Sequence, residues 1–329
     1  GMIEGNIESE NFNYLIKYEN KEFNVDYFVN KKKDYNYFLS DPINKTYIIS
    51  GKYFIDKPIK VPKNYNLNIK SGSELIFKKD AYIYLNNGNL ILDGKDKEIV
   101  LKTNDEFWGG IYVNNAPGLS IINNTKIVSV KNFEHEGIYL TGGINFYKSD
   151  VEIIDTKIID NKCEDAINII ESKFKISNSE IKNALSDGVD SDFSNGSIIN
   201  SLFKDIGGDA IDTSGSNISI INTKIQNVKD KGLSAGENSK INIERLKIES
   251  ATFGLVSKDL STIEGKKIEI YNSVKFDVIA FEKKNHFGPG YININDVETN
   301  NKILSQVGSK IIINNELIKS KNFDTKDFY

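Results

Sequence analysis

The chain of 329 residues is poor in several residue types that usually announce a function. It has one cysteine, Cys163, which excludes an intramolecular disulfide framework and a multi-cysteine zinc site. It has two histidines, His135 and His286, far apart in sequence, which weighs against a two-histidine metal site. Arg245 is the only arginine among 42 basic residues, so a site built on guanidinium forks for carboxylate or phosphate is not expected. The net charge of -4 leaves no basic footprint for nucleic acid. No apolar run approaches the roughly 18 residues of a membrane span. The N-terminus lacks a basic-then-apolar signal pattern. Gly1 ahead of Met2 reads as a cloning remnant, so a native leader or flanking domain is expected outside this sequence, with a secreted or cell-surface location. Oligomeric state is not legible.

What the chain does have is a period. The segments "CEDAINIIES", "LSDGVDSDFS", "GGDAIDTSGS", "KDKGLSAGEN" and "TFGLVSKDLS" align on Ala166, Gly188, Ala210, Gly232 and Gly254, in steps of 22 residues. "KFDVIAFEKK" extends this small-residue column to Val278 after 24. Apolar residues keep step at Ile167, Val189, Ile211, Leu233 and Leu255, and a second set at Ile176, Ile198, Ile220, Ile243 and Ile270. Asn178, Asn200 and Asn222 recur where a sharp corner needs a left-handed residue. "WGGIYVNN" and "HEGIYLTGG" read as the same strand upstream.

Short strands repeating every 22 residues without helical pattern predict an all-β chain, a right-handed single-stranded parallel β-helix with coils about 4.8 Å apart. The expected layout is an N-terminal cap over residues 1–45, the β-helix over 46–300 and C-terminal cap strands over 301–329. An antiparallel sandwich would show hairpin turns and no strict columns.

These strand repeats resemble the right-handed parallel β-helix, pectate-lyase-like superfamily, over about Thr46 to Tyr291. "TGGINFY", "DKGLSAGENS", "SKDLS" and "EKKNHFGP" are similar to a group of bacterial parallel β-helix repeat proteins, some carrying spore-coat-type kinase domains; that likeness implies fold but no activity.

Strand alternation places Asp190 and Asp192 outward from one coil and Asp212 outward from the next, with a corner column of Asp165, Asp187, Asp209 and Lys231. Two carboxylates about 4.8 Å apart repel by about 3.5 kcal/mol at an effective dielectric near 20, so a positive charge or a shared proton is required among them. One reading places Ca²⁺ on Asp187, Asp190, Asp209 and Asp212, neutralising a uronate while Lys231 takes its C5 proton, with Asp190, Asp192 and Asp212 around the reacting sugar. This resembles the calcium cluster plus lysine of the pectate lyases, although no lyase signature matches residue for residue. It makes a lyase or C5-epimerase acting on an acidic polysaccharide the leading expectation.

A second reading is an inverting glycosidase. Asp190 and Asp192 should stand about 6.6 Å apart along their strand, and Asp192 and Asp212 about 8 Å, within its carboxylate window of about 6.5 to 9.5 Å. The "NTD", "GHG" and "RIK" segments of the polygalacturonase branch are missing. A third is a non-catalytic glycan-binding or structural module whose aspartates only cap turns. Lys258, Lys283 and Lys284 form a candidate basic lip for an acidic glycan, and Trp108 and Tyr139, read as outward, are candidate sugar platforms.

Overall fold

A computed structural model describes residues 38–132, 134, 135, 138, 139 and 141–328, so nearly all of the expected N-terminal cap lies outside the described residues. The chain from Leu39 onward is an all-β solenoid of about 11 parallel coils. No helix among the described residues is long and apolar enough to cross a membrane.

One coil shows how the sequence makes the fold. Asp187–Asp192 runs as a strand and turns at Phe193 (φ 49°) into Asn195–Ile199. A second turn at Asn200 (φ 50°) leads into Leu202–Ile206. The next coil opens with Ile211–Ser214, whose Asp212 pairs with Asp190 in parallel register. Strands equivalent to Asp187–Asp192 stack into one 11-stranded sheet, and those of the other sides join a sheet of 21. The ends are turned antiparallel. Leu39–Asp41 pairs with Thr46–Ile49. Asn314 and Asn315, both left-handed, turn Lys310–Ile313 back onto Glu316–Leu317.

Inside, Ile167, Val189, Ile211, Leu233, Leu255 and Val278 form one fully buried column. Each contributes on the order of 1.5 to 3 kcal/mol of apolar burial. Val278 therefore continues the apolar column, not the small-residue one, and the step to it from Leu255 is 23 residues. Ile270 likewise lies elsewhere. Gly265 pairs with Ile243, and Ile270 stacks on Ile248 along the next side of the coil. A strand with a glycine in the apolar position loses its place in a column read from side-chain type alone.

Two polar ladders hold the turns. At the asparagine corner, Asn200 Nδ2 donates to Asn178 Oδ1 at 3.2 Å and Asn222 Nδ2 to Asn200 Oδ1 at 2.8 Å. At the other turn, buried serines stack. The amides of Ser149, Ser172, Ser194, Ser216 and Ser239 each donate to the Oγ of the next serine, at 2.8 to 3.1 Å, ending on Ser261. Ser194 Oγ also donates to the Asp192 carbonyl at 2.8 Å. Ser194→Ala leaves the Ser172 amide unpaired in a dry interior. It is expected to cost about 1 to 3 kcal/mol in urea unfolding, against little change for Ser197→Ala on an outward strand position.

Candidate active site

The outward side of the 11-stranded sheet carries the acids. Asn168, Asp190, Asp212 and Ser234 stack in one column, and Ile170, Asp192, Ser214 and Gly236 in the next. Val189, Ser191, Ile211 and Thr213, the residues between, are fully buried. The face is bounded on one side by buried Tyr112 and Asn145, and on the other by a shift of the same column to Val256, Ile279 and Leu304. There Phe253, Val256, Ile279 and Phe281 form an apolar cluster with Phe323 of the tail packed on it. The polar stretch is thus about four coils wide.

Hydrogen bonds link the coils across this stretch. Asn168 Nδ2 donates to Asp165 Oδ2 (3.0 Å) and to Asp190 Oδ2 (3.3 Å). The Asp209 amide donates to Asp187 Oδ1 at 2.8 Å, and the Lys231 amide to Asp209 Oδ1 at 3.0 Å. The buried ammonium of Lys231 sits 3.2 and 3.4 Å from the two Asp209 oxygens and 2.5 Å from Asp230 Oδ2. Lys258 Nζ donates to Ser234 Oγ at 2.8 Å and lies 3.8 Å from Asp212 Oδ1. Ser214 Oγ donates to Glu237 Oε2 at 2.6 Å, and Lys284 pairs with Glu237.

Burial in like-charged company spreads the protonation of these groups. Burial, then the charges of Asp192, Asp165, Asp212 and Asp187, push Asp190 up to about 10. Burial with Asp212 and Glu237 lifts Asp192 to about 6. Burial raises Asp187 to about 6, eased by the Asp209 amide, and Asp165 to about 7, eased by Thr141. Burial also raises Asp209, with Lys231 pulling the other way. Burial thus favours the protonated form most at Asp190 and less at Asp192, two residues along its strand. Cys163 is buried, and burial pushes its thiol up to about 12, so it is not a nucleophile.

Asp187, Asp209 and Asp212 each bring one carboxylate oxygen within 4.8 Å of the others, a group that could hold a metal ion. Asp190 is not in that group. The donor set fits calcium poorly, because both Asp209 oxygens face the Lys231 ammonium and Asp187 Oδ1 already accepts an amide. Ca²⁺ takes six to eight oxygens and would meet that ammonium directly.

Two sequence expectations for glycan contact change, those for Trp108 and Lys258. Trp108 is fully buried, stacked on Phe77 with ring centroids 4.0 Å apart and donating Nε1–H to the Val128 carbonyl, so it is core and not a sugar platform. Of "HEGIYLTGG" only the final Gly142 and Gly143 enter the coil strand. Gly142–Tyr147 pairs with Ile111–Asn114 instead, while Ile138–Tyr139 forms a separate antiparallel pair with Glu134–His135. The Tyr139 side chain lies outside the described residues. Lys258 is buried against Ser234 and so is not set out as a lip for an anionic chain, whereas Lys284 is exposed and paired with Glu237. Lys283 is exposed, its amide donating to Asp259 Oδ1 at 2.8 Å. The residues not assigned from sequence are Asp230, the second partner of Lys231, and Asn168, which joins two acids. The signal for Asp230 was its adjacency in "KDKG", on the exposed side of the corner.

No family model matches the chain, and no curated protein is significantly similar to it. Among solved structures, the chain is similar to the gp42 tailspike of Acinetobacter phage vb_AbaP_AS12, with 10% identity and a TM-score of 0.48, covering 85% of this chain and 59% of that one. It is also similar to the catalytic domain of a GH87 α-1,3-glucanase in complex with tetrasaccharides (14%, TM-score 0.45, 83% and 64%). A third is the catalytic unit of the thermostable GH87 α-1,3-glucanase from Streptomyces thermodiastaticus strain HF3-3 (13%, TM-score 0.38, 85% and 63%). The chain thus spans about three-fifths of the length of each.

Proposed function

We propose that the chain is a glycoside hydrolase of the parallel β-helix type that cleaves a polysaccharide by carboxylate acid–base chemistry. The observation that carries this is the placement of Asp190 and Asp192 two residues apart on the outward side of one strand, in like-charged company that raises both, Asp190 the further. Asp190 gives its proton to the departing glycosidic oxygen, and Asp192 takes one from the attacking water. A strand repeat of about 6.6 Å between their backbone positions is compatible with room for that water, which favours inversion at the anomeric carbon. An open face several coils wide suits a polymer laid along it.

The rival elimination needs a base and a neutralising cation. An ammonium in contact with Asp209 and Asp230 has no lone pair for a C5 proton, and Asp209, one of the carboxylates that calcium would take, is engaged with that ammonium. The face also carries more carboxylates than lysines, so a neutral glycan is favoured over the acidic one expected from sequence. Secretion or display at the cell surface goes with such a substrate.

Incubation with a panel of neutral polysaccharides should release reducing ends without the ultraviolet absorbance of an unsaturated uronate, equally with and without chelator. The rate should fall below about pH 6 as Asp192 protonates, and this acid limb should vanish in Asp192→Asn together with most of the rate. Chelator-sensitive absorbance on polygalacturonate would reverse the assignment.

A further inference from the structure

Immediately after Asp192 the chain turns at Phe193, whose side chain breaks the pattern of its column. The residues that turn the neighbouring coils at this position are Asn87, Asn115, Lys148, Glu171, Gly215, Glu237 and Asp259, all left-handed and all polar or glycine. Phe193 alone is aromatic there, at φ 49° and 66% exposed. A bulky side chain is disfavoured in this conformation, and asparagine, used twice in the upstream coils, satisfies it at lower cost. The ring is nevertheless seated. A Cβ on Gly215, one coil on, would meet Phe193 Cδ1 at 2.7 Å and Cε1 at 2.9 Å, so glycine at 215 makes room for it. Beside the ring lies a cleft of about 550 Å³, lined also by Asp150, Glu171, Lys173 and Asn195, a size within the usual range for small-ligand sites.

We infer that Phe193 is a platform on which a pyranose ring of the glycan stacks, with Asp150, Glu171, Lys173 and Asn195 beside it as hydroxyl partners, forming a subsite next to Asp192. This rests on the reading of the aspartate face as a glycan site. A ring with room over Gly215 and open toward the cleft presents an apolar plane, as the C–H face of a sugar requires. The polar residues around it match hydroxyl groups, and the cleft's mixture of acids and one lysine suits an uncharged sugar.

The test is affinity electrophoresis in gels containing a β-glucan, an α-glucan, a galactomannan, a xylan or polygalacturonate, using the full chain carrying Asp190→Asn so that the polymers stay intact. A neutral polymer should retard this protein. Adding Phe193→Asn should weaken the retardation about fivefold, and adding Phe193→Trp should preserve it. Because asparagine suits the left-handed turn, the Phe193→Asn protein should melt at or above its parent. Unchanged retardation in Phe193→Asn, or a clear drop in its melting midpoint, would overturn the platform. Retardation of no polymer would overturn platform and glycan reading together. Retardation lost in Phe193→Asn, with no cleavage by the unmutated protein, would support the platform and remove only the hydrolase assignment.

Discussion

Asp190→Asn should abolish polysaccharide cleavage while making the protein more stable at pH 8. The loss of rate, about 10²- to 10⁴-fold, follows from removing the group that protonates the leaving oxygen. The gain in stability follows from linkage. Burial among the neighbouring carboxylates raises Asp190 to about 10 in the folded chain, whereas in the unfolded chain a carboxyl releases its proton near pH 4. The folded state therefore binds more protons across that interval, and stability falls as pH rises through it. Asp165, Asp187 and Asp192, raised to about 7, 6 and 6, act in the same sense over the lower part of the window.

Asparagine releases no proton on unfolding and keeps an oxygen to accept from Asn168 Nδ2. About 2 kcal/mol at pH 8 is expected, well short of full conversion at about 1.4 kcal/mol per pH unit, because the clustered carboxylates share their protons. Calorimetry at pH 5 and pH 8 checks it. The unmutated protein should melt higher at pH 5, and the two proteins should differ most at pH 8. A variant that melts lower at pH 8 would show that Asp190 is ionised in the fold.

Lys231→Met should be the most destabilising change on this face, by about 3 to 5 kcal/mol at pH 8, because it strands Asp209 with a buried charge. The loss should shrink at pH 5, where Asp209, already raised by burial, takes a proton. Asp209→Asn in the same chain should recover much of it, since it removes the stranded charge. Chemical denaturation of the two single variants and the double variant at both pH values measures the coupling. A lysine acting as a catalytic base would behave otherwise. Its loss would leave the fold intact at both pH values and erase an elimination activity.

The fold was legible because one coil's side-chain types reappear in the next. The acid ladder, with Asp187 followed by Asp209 and Lys231, could be read for the same reason. What could not be read was whatever depended on the space outside a strand. Trp108 looked outward by alternation, yet Val130 pairs with it and Phe77 covers it. "GIYL" resembled a coil strand so closely that the real one, Gly142–Tyr147, was passed over. The serine ladder, in steps of 22 and 23 residues beside the asparagines' 22, was open to discovery, but serine is common enough in turns to hide a column. Protonation was beyond reach, since it depends on how five aspartates share a desolvated face.

The ladders imply that this chain is counted in whole turns. Removing one residue from the interior would slide every later serine, asparagine and isoleucine off its neighbour, and in a strand it would also exchange inside for outside. Removing 22, from Ser172 through Phe193, would set Ser194 where Ser172 stood and leave a shorter solenoid with its ladders joined. The chain therefore has two kinds of neighbour, one along the backbone and one a full circuit away. Change is tolerated most readily where it respects the second, so whole coils can be gained or lost more safely than single residues.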